Sequence, residues 1–419
     1  METNIEDYMV QIGKKAKEAS RVLSNIGTEI KNNALKNMAA RLILDSDNIL
    51  VANAKDVAAA MEKGIPEFLI DRLILTKKRI EDMAKAIDTI KSLKDPINDI
   101  VDMKHMPNDL QIGRMIVPLG VIGIIYESRP NVTSDASALC LKAGNAVVLR
   151  GGSDAINSNI EIANSLKVAL LESGLPEGTL QYIEIPDRTA VDIMMKLNDY
   201  IDVLIPRGGA ALINNVVNNS TVPVIKTGVG NCHVFVDESA DFKMAEDIIV
   251  NAKTQRPGVC NAMETLLVHE KIATSFLPGL CQKLHSLGVE LRGCEITRGL
   301  VDNVALAEEK DFETEFLDLI LAIKVVPSLD AAMDHIYKYG TNHSEAIITN
   351  NYSNSQRFLK EVDAAAVYVN ASTRFTDGSE FGFGGEIGIS TQKLHARGPM
   401  GVNELTTSKY IIYGDGQVR

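Results

Sequence analysis

Residues 110–127, LQIGRMIVPLGVIGIIYE, mark the place where the hydrophobic period of the chain changes. β-Branched residues dominate the stretch and Gly113, Gly120 and Gly123 punctuate it, so it reads as strands. Upstream, apolar positions recur at helical spacing, as in Ile80, Met83, Ala84, Ile87 and Ile90, and Lys94-Asp95-Pro96 closes that helical block. Downstream, short apolar runs alternate with helical ones. AVVLRG (146–151), LQYIEI (180–185), DVLIPRG (202–208), PVIKTG (223–228) and HVFVD (233–237) are the strand candidates. Helical runs lie between them near 134–143, 155–173, 188–198 and 209–218. A second series follows: helix 241–255, METLLV, helix 271–286, VELRG, LDLILAIKVV, helix 329–338, SEAIIT and AAAVYVN. This alternation argues for buried parallel sheets with right-handed crossovers.

The expected organisation is α/β with two domains, one from 1–100 and 117–232, the other from 233–398. The tail SKYIIYGDG reads as an extra strand that pairs with the early 101–116 segment. Segments 101–116 and 399–419 would then form a flap placed to join a partner subunit, because an exposed strand is a liability until covered.

The bulk numbers narrow the function classes. The 419 residues carry a net charge of −12, which argues against nucleic acid or an anionic membrane as the main partner. The N-terminal METNIEDYMVQIGKKAKEAS has no apolar signal core, and runs such as VIGII are far short of a membrane span. Five cysteines, Cys140, Cys232, Cys260, Cys281 and Cys294, form no CxxC pair, which fits a reducing cytoplasm.

No GxGxxG opens a helix, so the usual dinucleotide fingerprint is missing. LRGGSD (149–154) and IPRGGA (205–210) both follow predicted strands and carry an arginine with paired glycines. Such turns suit an anion, since Arg donates charge-assisted hydrogen bonds and Gly lets backbone N–H groups approach. Each read alone is equally a plain strand-to-helix turn. There is no HExxH, Cys232-His233 has no partners at ligand spacing, and no G-x-S-x-G elbow occurs, so metal and serine-hydrolase chemistry lack support.

TQRPGVCNAMETLLV (254–268) poses the remaining question. A lone cysteine is ordinarily a small buried hydrophobe. Here Pro257-Gly258 breaks the preceding helix and sets Cys260 on a turn at a strand edge, with Arg256 nearby to favour the thiolate. A thiolate attacks carbonyls, and the oxyanion it creates needs donors: the Cys260 backbone N–H and an amide from a distant loop.

YESRPNVTSDASALCLKAGNAVVLRGGSDA (126–155) together with TQRPGVCNAMETLLV resembles the aldehyde dehydrogenase superfamily. A Pro-Asn pair there precedes a helix, and an Ala-Gly-Asn turn leads into a strand that ends in a basic residue. KTGVGNCHVFVD, GTNHSEAI and FGFGGEIGISTQKLHARGPMG extend the likeness, and together the motifs are most similar to the branch that reduces L-glutamyl 5-phosphate in proline biosynthesis. The resemblance implies an aldehyde-dehydrogenase-like fold, two α/β domains with parallel-rich sheets plus a small β oligomerisation flap. It implies a homo-oligomer, a cytoplasmic location and glutamate 5-kinase as a candidate partner.

It also implies roles. Cys260 attacks the acyl phosphate, expels phosphate and forms a thioester; Asn131 and the Cys260 N–H hold the oxyanion. NADPH delivers hydride. Arg150, Gly151, Ser153, Arg207, Gly208, Gly209 and Glu315 fall on the cofactor side. Arg129, Arg256, Arg374, His395 and Arg397 are the basic groups for an anionic substrate.

Two features can be read beside the resemblance. Hydrolytic relatives carry a glutamate in a Leu-Glu-Leu-Gly-Gly stretch, whereas VIKTGVGNCH has no carboxylate and none occurs from Val203 to Val236. Water attack on a thioester is then slow. NAD-preferring relatives place a glutamate where Ser153 stands, so keeping Arg150 and losing the carboxylate favours a ribose 2′-phosphate. The competing reading is a hydrolytic aldehyde dehydrogenase acting on a small semialdehyde.

Overall fold

The structure, a computed structural model, describes the backbone of residues 4–419 and the side chains of all of these but 67–69. The opening three residues of the N-terminal stretch thus lie outside it. The chain divides into two compact units. The first runs to Thr227 and includes Gly382–Gly388 and Met400–Arg419; the second comprises Gly228–Phe381 and Ile389–Pro399.

The first unit begins with five helices, Ile5–Leu23, Thr28–Leu44, Ser46–Glu62, Glu67–Leu73 and Lys77–Ser92. The last shows why these residues are helical. Ile80, Met83, Ala84, Ile87 and Ile90 form one buried face, the spacing of a helix packed on one side. Thr76 caps it by accepting from the Arg79 N–H at 3.1 Å, and Pro96 follows its end, where the helix cannot continue. Asp95, beside that proline, accepts from the buried Lys31 at 2.8 Å, tying the helix exit to the second helix.

Four parallel strands lie in the order Leu180–Tyr182, Ala146–Arg150, Val121–Tyr126, Val203–Arg207. Every residue of Val121–Tyr126 and Ala146–Arg150 is buried, as expected where helices cover both faces of a parallel sheet. The tail strand Thr406–Tyr413 pairs antiparallel with Gln111–Pro118 along its whole length, and Ile100–His105 completes this three-stranded sheet.

In the second unit seven parallel strands lie in the order Ala305–Leu306, Glu290–Gly293, Ile320–Val326, Met263–His269, Cys232–Val236, Ser344–Ile348, Ala366–Val369. Its core is built from Val234, Leu266, Ile323 and Ala346 in the sheet, with Ile249, Phe276 and Leu280 from covering helices.

Several expected elements differ. PVIKTG is not a strand: it makes only isolated bridges, at Val224 (to Leu204) and at Thr227, and Thr227 Oγ1 donates to the Pro206 carbonyl at 2.7 Å. LQYIEI is a strand only over Leu180–Tyr182, and the 188–198 helix only over Thr189–Met194. The stretch 233–398 is interrupted, because Gly382–Gly388 packs with the first unit, Gly384 lying against Leu93 and Thr89. Among the described residues no helix is long and apolar enough to cross a membrane.

Candidate active site

Cys260 lies between the helix Phe242–Thr254 and the strand Met263–His269, on an irregular turn at the amino end of that strand. The turn is braced at both ends. Lys253, last but one in the helix, donates to Glu264 at 2.6 Å, and both side chains are wholly buried; the other Glu264 oxygen accepts from the Leu317 N–H at 3.1 Å. A buried pair of this kind is costly to break, about 3–5 kcal/mol when one partner is removed. Burial raises the Glu264 carboxyl to about 7 against the pull of Lys253, and lowers Lys253.

Arg374 braces the middle. Its Nε donates to Gln255 at 3.1 Å, and Nη1 donates to Asn261, so one guanidinium spans the residues on either side of the thiol. Asn261 Nδ2 donates to the Thr376 carbonyl at 2.9 Å, and Thr373 Oγ1 to the Asn261 carbonyl at 2.7 Å. Burial lowers Arg374, and the neighbouring charge of Arg256 lowers it further. Arg256 itself is exposed.

The segment GVGNCH (228–233) lies against this turn. A Cβ at Gly230 would overlap the Cys260 carbonyl, so only glycine permits the approach. The Gly230 N–H donates to Glu315 Oε1 at 2.8 Å. The Cys232 thiol donates to the Cys260 carbonyl at 3.2 Å and sits 3.7 Å from His343 Nδ1. Two residues before Gly230, a Cβ at Gly228 would overlap the Thr391 side chain.

The five thiols separate by setting. Cys140, Cys232 and Cys281 are buried; burial pushes Cys281 up to about 12 and the other two upward as well. Cys294 and Cys260 are half-buried. Cys294 is lowered, hydrogen bonds from Thr297, Val325 and Ile296 outweighing the upward push of burial. Cys260 alone has the braced turn.

In the first unit the chain moves outward from Val121–Tyr126 through Ala146–Arg150 to Leu180–Tyr182, then returns to the other side of its starting strand with Val203–Arg207. Ligands of open α/β sheets bind at the carboxyl ends of the strands where the order reverses so. Glu127 follows one of these strands and Gly208-Gly209 the other. Gly209 caps the helix Ala210–Asn219, and its N–H donates to Glu127 Oε2 at 3.0 Å. A Cβ at Gly208 would come 2.5 Å from Glu127 Cδ. A carboxylate therefore stands on the turn that the sequence marked for an anion. Arg207 is loosely paired with Glu386 at 3.9 Å.

The other marked turn is more closed. Arg150 is buried, donates to the Gly151 carbonyl and to the Pro186 carbonyl at 2.7 Å, and is lowered by burial. Gly151 has no room for a side chain, since a Cβ would overlap Asn159. Ser153 is exposed. A cavity of about 450 Å³ beside this turn is lined by Arg72, Glu127, Arg129 and Asp154 with Ile65 and Leu73. Asn131 opens the helix Asn131–Lys142 with its side chain exposed, and its Nδ2 donates to Asp135 at 2.9 Å.

Cys260, Glu315, Arg256 and Arg374 thus gather in the second unit around one turn, and Asn131, Arg129, Arg150, Gly151, Ser153, Arg207, Gly208 and Gly209 lie at strand ends of the first. Arg397 is committed to Asp363 at 2.7 Å, a carboxylate it shares with Lys393. His395 is exposed at a positive φ of 66°. Lys253, Glu264, Glu127, Asp135 and Thr391 escaped the reading of the sequence. Glu264 left a trace, a glutamate inside the METLLV strand, and Asp135 stands four residues from Asn131; the others left none at short range.

The aldehyde dehydrogenase family model matches residues 6–297. The chain belongs to the aldehyde dehydrogenase family. Among its full-length relatives are gamma-glutamyl phosphate reductases. That of Clostridium novyi (strain NT) is 63% identical over 416 residues, covering 99% of this chain and 100% of the relative. That of Caldanaerobacter subterraneus subsp. tengcongensis is 64% identical over 406 residues, covering 97% and 98%. The crystal structure of the reductase from Thermotoga maritima superposes with a TM-score of 0.96 at 55% identity, covering 98% of this chain and 99% of that one.

Proposed function

We propose that this chain reduces L-glutamyl 5-phosphate to L-glutamate 5-semialdehyde and phosphate, the second step of proline biosynthesis from glutamate, through a thioester on Cys260. The observation that carries the reading is a half-buried thiol on a braced turn whose backing segment holds no carboxylate. The thiolate adds to the acyl carbonyl; a carbon–sulfur bond forms, the carbon–oxygen bond to phosphate breaks, and phosphate leaves with the bonding pair. The Cys260 N–H holds the oxyanion, and the motif shared with the family assigns Asn131 as the second donor. After reduction the carbon–sulfur bond breaks, releasing aldehyde and restoring the thiolate.

A nicotinamide cofactor supplies the hydride when bound. Arg150, Gly151, Ser153, Arg207, Gly208, Gly209 and Glu315 are the residues that would hold it. The strand-order reversal and the carboxylate seated on Gly209 fit an anionic dinucleotide. The lack of a carboxylate at Ser153 favours NADPH. Arg150 contributes by shaping its turn and keeping a positive charge there, since two of its donors are spent on carbonyls. Of the basic residues assigned to substrate, Arg256 is exposed beside the thiol and suits its anionic groups best, whereas Arg374 serves by bracing the turn and Arg397 is spent on Asp363.

Hydrolysis is disfavoured by packing as well as by composition. A side chain at Gly228 meets Thr391, so that part of the segment has no place for a base. The exposed Ile100, Tyr410, Ile412 and Tyr413 of the three-stranded sheet support a homo-oligomer joined through that flap, and the labile acyl phosphate favours a cytoplasmic enzyme working beside glutamate 5-kinase. Initial rates with semialdehyde and NADP⁺, with and without phosphate, test the reading. Reduced cofactor should appear only with phosphate, and phosphate-independent acid formation would return the hydrolytic alternative.

A further inference from the structure

Asn131 and Asp135 stand one helical turn apart at the start of Asn131–Lys142, the spacing at which side chains on a helix meet. Asn131 Nδ2 donates to Asp135 Oδ2 at 2.9 Å. Ser134 Oγ lies 2.8 Å from the Asn131 carbonyl and 3.4 Å from Asp135 Oδ1, so its one hydrogen goes to the carbonyl and leaves the carboxylate to the asparagine.

A side-chain amide has two unlike ends, an NH₂ with two donors and an oxygen with only lone pairs. Half a turn about the terminal bond exchanges them. For an oxyanion the difference is one of sign, since the NH₂ end attracts it and the oxygen repels it. An exposed asparagine samples both. A carboxylate accepts and never donates, so its presence at 2.9 Å holds one Nδ2 hydrogen and leaves the second directed elsewhere.

We infer that Asp135 is a positioning residue for the reduction, fixing the flip of the Asn131 amide so that Nδ2–H rather than Oδ1 meets the oxyanion. The inference rests on the proposed role of Asn131. A plain surface pair at this spacing would add about 0.2–0.5 kcal/mol to helix stability and nothing else. Asp135 is not such a pair. Asp135 is half-buried, and the desolvation that comes with it raises the carboxyl to about 6 against the hydrogen bond from Asn131. A carboxylate kept there at a cost, on an acceptor-only contact with the assigned oxyanion donor, is what positioning requires.

The test is a double-mutant cycle in the full-length enzyme, assayed with semialdehyde, NADP⁺ and phosphate. Asp135→Asn is isosteric but can donate to Asn131 Oδ1, which stabilises the wrong flip. It should lower kcat by about 10–100-fold, less than the about 10²–10³ lost when an oxyanion donor is removed outright, with KM and NADPH affinity within about twofold of the parent. In an Asn131→Ala background the same substitution should have no further effect. Asp135→Glu, which keeps an acceptor, should recover kcat to within about threefold of the parent. An equal loss in both backgrounds, a loss confined to KM, or a Glu variant as slow as the Asn variant overturns the inference. Cys260→Ala separates this from the underlying reading: activity surviving there removes the thioester itself, whereas additivity in the cycle with Cys260→Ala inactive removes only the role of Asp135.

Discussion

The turn that carries Cys260 joins a helix to a strand and the turn at Gly208-Gly209 joins a strand to a helix, and they are held by different means. Around Cys260 the supports are long-range and paired: Lys253 with Glu264, Arg374 with Gln255 and Asn261, Thr373 with the Asn261 carbonyl. At Gly209 the N–H is satisfied by one exposed carboxylate, Glu127. The first arrangement keeps a reacting atom where it is, which attack on a carbonyl demands. The second can be exchanged for a ligand at little cost, because an exposed carboxylate gains nearly as much from water. A nucleophile is built to stay, and an anion turn is built to be vacated.

The sharpest way to break the comparison is to remove the atom that the bracing serves. Cys260→Ala should abolish turnover, by about 10⁴-fold or more, while NADPH binding measured by fluorescence persists; substantial residual activity would mean the bracing serves something other than covalent chemistry. Gly230→Ala comes next. Its methyl group must displace the Cys260 carbonyl, and a shift of about 1 Å at a reacting group costs about 10²-fold, so kcat should fall on that order with NADPH affinity intact. If it stays near parental, the turn is softer than its hydrogen bonds suggest. Lys253→Ala leaves Glu264 buried without its cation and should cost about 3–5 kcal/mol of stability by urea unfolding; a loss below about 1 kcal/mol would show that water reaches the pair.

The two turns also differed in how legible they were. The fold was largely written in local pattern, because a parallel sheet buried on both faces needs continuous apolar strands, and Val121–Tyr126 is one. PVIKTG looked the same and is not a strand, since isolated bridges at Val224 and Thr227 are the pairing it finds; strand composition records burial, whereas pairing depends on a neighbour. The turn at Cys260 was visible through Pro257-Gly258, but its braces were not. Arg374 reaches Asn261 across 113 positions, and no spacing rule connects residues so far apart. Glu127 was hidden for the opposite reason, being an ordinary exposed glutamate whose meaning comes from the glycines it faces. Asn131 and Asp135 were adjacent enough to notice and went unweighed, because an i, i+4 pair is usually only a surface contact.

Buried or half-buried carboxylates repeat the contrast at smaller scale. Glu264 has a cation; Asp135 has an amide. With a folded pKa of about 6 against 3.8 for the free group, Asp135 holds its proton more tightly in the native state. Between these values the native state binds more protons than the unfolded one, so the Asp135 contribution to stability falls as pH rises from about 4 to 6 and stays low above it. Asp135→Asn removes the titration and should gain, relative to the parent, on the order of 2 kcal/mol between pH 4 and pH 7 by urea unfolding. A parallel pH dependence in parent and variant would mean that the carboxyl is solvated and titrates normally.

The smallest expected effect concerns the exchangeable turn itself. If Glu127 occupies Gly209 as a placeholder, a dinucleotide must displace it, and Glu127→Ala should tighten NADPH binding by about threefold to tenfold, the worth of one exposed charge-assisted contact at 0.6–1.4 kcal/mol. The gain should shrink with added salt, which screens the repulsion between the carboxylate and the phosphates. Weaker binding in the variant would instead make Glu127 a contact of the bound cofactor, and the two turns would then share one logic: each held by a side chain that remains in place while the chemistry proceeds.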